Sequence, residues 1–259
     1  MGSNSRGENR FSFPPQCKPE HKILWSSLAA AKNAKVARGL KGFFNGFARK
    51  QRRNFAWRKQ RVSPFHLLLA EVLLVQTKAE DVAILWPRLV RKYPTPFALS
   101  RAKKASLARL LRPLGLQNQR ARSLVAIGKT LCQRFGGRVP RTAEELLSVP
   151  HIGLYTAAAV ASFAFGVRLP IVDANVLRVL GRIHGIETGA DLRRSREAWT
   201  LAWTILPRKN ARLHNYGLLD FAAQICKVRR PRCESCPLNQ MCCFGKRVSS
   251  MDAKGALTS

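Results

Sequence analysis

Residues 142–184 read TAEELLSVPHIGLYTAAAVASFAFGVRLPIVDANVLRVLGRIH. Two helical stretches, 142–148 and 154–165, flank the tight turn Val149-Pro150-His151-Ile152-Gly153, and the second opens on small residues that allow close packing. This pattern predicts a helix–hairpin–helix. The turn amides and adjoining helix N-terminus of such a hairpin can hold a nucleic-acid phosphate without reading a base, which makes His151 and Gly153 candidate DNA contacts. A plain pair of packed helices can carry the same Pro-x-x-Gly turn. The residues just beyond narrow the reading: the apolar strip Leu169-Pro170-Ile171-Val172 delivers Asp173 to the start of a further helix over 173–184.

Outward from this stretch, the chain reads as a series of helices. Ser63-Pro64 is an N-cap with proline at the first helical position, and one helix is predicted after it over FHLLLAEVLLVQTKAEDVAILW. Others are predicted around 88–93, 101–112, 119–135, 195–206 and 214–226. Connections are short and carry glycine or proline, and no segment alternates with period two, so the fold class is all-α. Upstream, LAAAKNAKVARGLKGFFNGFARK has helical character with basic residues on one side. A transit peptide or a membrane-surface helix would share that pattern, but Phe43, Phe44 and Phe47 read better as anchors of a helix docked on the domain. Residues 1–22 are polar without apolar periodicity, and 1–35 are expected to form a basic, flexible tail.

The 259 residues carry 46 Lys and Arg against 14 Asp and Glu, a formal net charge of +32. A hydrophobic fraction of 46% is ample for a core and excludes disorder as the dominant state. A compact chain this basic calls for a polyanionic partner, and nucleic acid is the commonest. No run reaches the roughly 18 apolar residues of a membrane span and the N-terminus lacks a signal-peptide core. The expectation is a cytoplasmic, nucleoid-associated protein with no membrane partner.

Five of the seven cysteines lie between positions 226 and 243, which argues against a secreted disulfide framework and for metal ligation. Cys226, Cys233, Cys236 and Cys242 have the spacing x6, x2, x5. Four thiolates can close around zinc or around an iron–sulfur cluster, and ligand type does not choose between them. Lys227, Arg229, Arg230 and Arg232 fill the first loop, giving a basic knob that could meet a phosphate backbone. Cys243 has no assigned role.

With only 14 acids, their placement is informative. Glu71 sits in HLLLAEVLLVQT, flanked by apolar residues, and a carboxylate there needs a partner or a raised pKa. Asp173 can act as a helix N-cap as well as a functional acid, and Asp220, in GLLDFAAQIC, reads as a structural acid.

From about Asn54 to Phe244 the chain resembles the helix–hairpin–helix/Gly-Pro-Asp DNA glycosylase superfamily. The resemblance is carried by FAWRKQRVSPFHLLLAEVLLVQT, GLQNQRARSL, FGGRVPRTAEELLSVP, GLYTAAAVASFAFG, VDANVLRVLGRIHG and the cysteine loop, in order and spacing. It implies a six-helix barrel with the hairpin over 62–168 and an iron–sulfur domain from 36–61 and 169–247, with the cleft between them and a tail over 248–259. It also implies a [4Fe–4S] cluster on Cys226, Cys233, Cys236 and Cys242. Relatives usually have glycine at His151, so either the turn differs here or the imidazole adds a phosphate contact.

Branches of the superfamily differ at Tyr155. Endonuclease III-like enzymes place a Schiff-base lysine there, adenine-specific MutY-like enzymes a small serine, and thymine–DNA mismatch glycosylases a tyrosine. A phenol cannot form the imine, so hydrolysis without strand cleavage is implied. Tyr155, Asp173, Glu71 and the run Gly115 to Ala121 look most like the thymine/uracil branch. Only 16 residues follow Cys243, too few for the extra domain of MutY-like enzymes, although the Glu71 helix resembles theirs equally. The expectation is therefore a monomeric, monofunctional glycosylase acting on double-stranded DNA at thymine or uracil opposite guanine. Adenine removal is the alternative, and a non-enzymatic iron–sulfur DNA-binding protein the second alternative. Asp173 would stabilise the oxocarbenium-like sugar, Glu71 would assist the leaving base, and Tyr155 would hold the sugar or base edge. Gln76, Gln117 and Asn118 are candidates to fill the space left by an extruded nucleotide, and Arg120 to contact phosphate.

Overall fold

Several helices begin where the sequence supplies a side-chain cap. The Ser63 hydroxyl accepts from the His66 amide at 3.1 Å, and Thr142 with Glu145 forms a reciprocal capping box ahead of the hairpin. The Asp173 carboxylate accepts from the Val176 amide at 2.7 Å. The computed structural model describes residues 27–186 and 196–248. Among these the secondary structure is helical, with no strand.

Eleven α-helices are described: α1 (Ser27–Gln51), α2 (Pro64–Leu74), α3 (Ala79–Lys92), α4 (Pro96–Ser100), α5 (Lys104–Leu111), α6 (Gln117–Phe135), α7 (Ala143–Leu147), α8 (Leu154–Phe165), α9 (Ala174–His184), α10 (Arg196–Ile205) and α11 (Ala211–Gln224). The hairpin is α7–α8. Helix α2 lies against α8, while α4 and α5 lie against α6. Helix α1 runs along α11, which also touches α9 and α8. The small face of α8 explains its central place: Ala157, Ala158, Ala159, Val160 and Ala161 are fully buried and let neighbouring backbones approach.

Helix α1 docks as its phenylalanines predict. Phe43, Phe44 and Phe47 meet the Phe221 ring edge-on, with centroids 5.5, 5.7 and 5.4 Å away. The backbones are close enough that a Cβ added at Gly217 would lie 1.9 Å from the Phe44 carbonyl oxygen. The helix starts at Ser27 and so crosses the boundary expected at residue 35; residues 1–26 and 249–259 lie outside the described set. No described helix is long and apolar enough to cross a membrane.

The single helix predicted over 65–86 is two helices. It breaks at Val75–Lys78, where Gln76 adopts a left-handed φ of 57°. Pro87, where a break was expected, sits inside α3 instead. Glu80 and Asp81 in the first turn of α3 and Arg91 and Lys92 in its last complement the helix dipole, which favours starting a new helix at Ala79.

Candidate active site and DNA interface

Glu71 projects from α2 and is 1% exposed, yet it lines an open cavity of about 800 Å³ together with Arg58, Tyr155, Asp173, Tyr216 and Gln76. The Tyr155 hydroxyl, from the start of α8, donates to Glu71 Oε2 at 3.2 Å. Burial pushes the Glu71 carboxyl up from 4.5 to about 7, against the opposing pull of the Arg58 guanidinium and the Tyr155 hydrogen bond. Burial, reinforced by the Glu71 and Asp173 charges, also drives the Tyr155 phenol well above its usual range. Tyr155 therefore keeps its proton and donates it in a hydrogen bond, while Glu71 exchanges its own near neutrality.

Asp173 combines two roles that the sequence left as alternatives. One oxygen caps α9 through Val176, and the other accepts from Asn175 Nδ2 at 2.8 Å. Half-buried, it faces the same cavity. Asn175 is held in turn by Arg178 NH1 at 3.0 Å, and Arg178 donates to the Cys226 and Ala222 carbonyls. An acid in this position is fixed in orientation and faces the cavity.

Sequence reasoning missed Arg58 and Tyr216. Arg58 donates to both Asp220 oxygens at 2.8 Å and lies over the Tyr216 ring at 4.5 Å. Asp220 has no exposed surface, and it also accepts from the Arg53 amide. This buried pair bears out the structural reading of Asp220. It ties the segment before α2 to α11 and sets a positive charge behind Glu71. The only signal in the sequence was an arginine beside Trp57, just ahead of the Glu71 helix.

His151 keeps the turn that glycine would allow. Its φ is 64°, and its side chain is exposed at the tip of the hairpin. Gly153 caps α8 with an extended backbone. A Cβ there would meet nothing within 4 Å, so this face of the turn is open. Gln76 is exposed at the cavity rim, and Gln117 and Asn118 open α6. Beside them stands Leu116, which sequence reasoning passed over. It is 57% exposed with a φ of 49°, an unusual setting for an apolar side chain.

The Arg120 side chain is tied to both neighbouring loops. Its guanidinium donates to the Gly115, Leu73 and Val75 carbonyls and to Thr77 Oγ1. Most of its five N–H groups are thereby committed within the protein.

Cys226, Cys233, Cys236 and Cys242 form no disulfide and line one small, apolar cavity with Phe221 and Phe244. The Gly245 amide donates to Cys242 Sγ at 3.4 Å and Arg182 NH1 to Cys226 Sγ at 3.5 Å. Donors aimed at sulfur suit thiolate ligands. Among the described residues no group of three or more His, Cys, Asp or Glu side chains forms a recognisable site for a metal ion.

The HhH-GPD superfamily of base excision DNA repair proteins matches residues 69–203. The thymine/uracil-DNA glycosylase of Methanothermobacter thermautotrophicus is 36% identical over 200 residues, which cover 77% of this chain and 90% of that one. An adenine DNA glycosylase of Mycobacterium tuberculosis is 38% identical over 190 residues, 72% of this chain and 62% of its own. The solved structure of a thermostable thymine-DNA glycosylase superposes with a TM-score of 0.76 at 33% identity, covering 85% of this chain and 99% of that one. The chain belongs to the HhH-GPD superfamily. It is a base-excision DNA glycosylase.

Proposed function

We propose that this glycosylase hydrolyses the N-glycosidic bond of thymine or uracil mispaired with guanine in double-stranded DNA, without a lyase step. The observation that carries the reading is the Tyr155–Glu71 hydrogen bond in the cavity that also holds the capped Asp173. The residue paired with the buried acid is a phenol, which forms no imine with the sugar. Extruding a base costs on the order of a few kcal/mol, and least at a mismatched pair. Gln76 and Leu116, exposed on left-handed tips, occupy the vacated space. As the bond to C1′ lengthens, the Asp173 carboxylate stabilises the positive charge that develops on the sugar. Glu71 hydrogen-bonds the departing base, and Tyr155 holds Glu71 and the base edge in register.

Residues 62–168 form the barrel half of the enzyme in this reading, and 36–61 with 169–247 the half that carries a [4Fe–4S] cluster on Cys226, Cys233, Cys236 and Cys242. The small thiol-lined cavity and the N–H donors on sulfur support a fit. Ligation by these cysteines would fix the basic loop 227–232 and bring its Lys and Arg side chains to the phosphate backbone; base release draws only on the cavity residues. The enzyme works as a monomer, and its site of action is the nucleoid.

A second reading, adenine removal, is favoured by one observation: Glu71, with a pKa near 7, can protonate a purine leaving group. Labelled duplexes containing G:T, G:U, A:G and A:8-oxoguanine, incubated with the protein and then cleaved with alkali, separate the two. Release from G:T and G:U is expected; release from the adenine pairs alone would overturn the proposal, as would a borohydride-trapped adduct. Asp173→Asn retains an oxygen for the Val176 amide but not the charge, so base release should vanish while binding to mismatched duplex persists. Normal turnover of that variant would refute the role given to Asp173.

A further inference from the structure

Two loops far apart in sequence present the exposed tips. One joins α2 to α3 and carries Val75, 47% exposed, and Gln76 at φ 57°. The other precedes α6 and carries Gly115 at φ 71° and Leu116 at φ 49°. Isolated left-handed residues other than glycine are strained and persist only where their surroundings hold them. A single side chain bridges both loops. Arg120, in the first turn of α6, sends Nε to the Gly115 carbonyl at 3.1 Å. NH1 reaches the Leu73 carbonyl at 3.1 Å, and NH2 reaches the Val75 carbonyl at 3.1 Å and Thr77 Oγ1 at 2.6 Å. The Arg120 amide meanwhile donates to the Leu116 carbonyl at 2.9 Å.

We propose that Arg120 is a positioning residue that locks the Gln76 and Leu116 tips to each other, so that both enter the duplex as one rigid wedge when a base is extruded. The inference rests on the glycosylase reading above. It assigns Arg120 to the geometry of extrusion and not to phosphate binding. A planar fork can serve acceptors on two loops at once; a lysine ammonium on a flexible stem, with the same charge, cannot hold that spacing.

The test uses the full chain and the variants Arg120→Ala, Arg120→Lys and the milder Thr77→Val. Base release is timed from uracil in a G:U duplex and from uracil in single-stranded DNA, where no wedge is needed. Extrusion itself is read by the fluorescence of 2-aminopurine placed at the target position. Arg120→Ala should lose at least about tenfold more activity on the duplex than on the single strand, with a matching loss of the fluorescence rise. Arg120→Lys should fail to rescue it, and Thr77→Val should fall in between. The slope of log K against log salt for undamaged duplex should stay unchanged. A slope reduced by about 0.9, restored by lysine, would make Arg120 a phosphate contact and overturn the proposal. Equal losses on duplex and single strand would reduce Arg120 to a stabilising residue and overturn it as well. If the wild-type chain releases no base, the functional reading fails, while the fluorescence measurement still decides the wedge.

Discussion

Replacing Glu71 by glutamine should stabilise the fold while it impairs catalysis, and the stabilisation should depend on pH in a calculable way. The folded carboxyl titrates at about 7 against 4.5 in the unfolded chain. Between those values the native state binds the proton more tightly, so stability contributed by this site is fully present below pH 4.5 and is lost as pH rises through 7. At 1.36 kcal/mol per pKa unit, the native enzyme forfeits about 2 kcal/mol by pH 6 and about 3 kcal/mol by pH 8. Glutamine has no proton to lose, and its carbonyl oxygen can still accept from Tyr155. Urea unfolding of both proteins at pH 5, 6, 7 and 8 measures the difference. The gain should climb by about 2–3 kcal/mol across that range, toward a plateau above pH 7. Base release by Glu71→Gln should fall by about two orders of magnitude or more. A gain independent of pH, or none, would show that burial does not move the Glu71 proton, and the argument would fail.

His151→Gly should raise stability by about 1 kcal/mol, because it removes a left-handed histidine from an otherwise unchanged turn; a chemical denaturation midpoint reads it. If the imidazole contacts phosphate, the same variant binds undamaged duplex more weakly. Asp220→Ala leaves the Arg58 guanidinium buried without its carboxylate and should cost about 3–5 kcal/mol, seen as a large fall in melting temperature. Gly217→Ala drives a methyl into the Phe44 carbonyl and should release α1 from α11, detected as faster amide exchange or proteolysis within 36–51.

Much of this was legible in the sequence because it is local. Ser63-Pro64, the VPHIG turn and the strip ahead of Asp173 mark helix boundaries through steric and hydrogen-bonding preferences of single residues. Glu71 stood out because an acid amid leucines must either find a partner or hold its proton. The break at Gln76 was not legible. Apolar residues precede it and helix-compatible ones follow, and the residues on either side of it are held by Arg120, 44 positions later. The four acceptors of Arg120 escape sequence reasoning on the same ground, since most of them lie far away along the chain. Leu116 was overlooked because only the structure shows it exposed.

The sequence by itself determined that this chain is helical, that it meets a polyanion, and that Glu71, Tyr155 and Asp173 are the candidates to carry the chemistry. It also set the cysteine spacing of the loop. The tertiary structure decided that the three converge in one cavity, that burial lifts the Glu71 proton to neutrality, and that Arg58 is neutralised by Asp220 rather than by Glu71. It also decided that two distant loops are joined through one guanidinium. The division has a physical cause. Caps, turns and helical faces depend on neighbours along the chain, whereas proton affinity and strained backbone depend on the dielectric and the partners that only packing brings together.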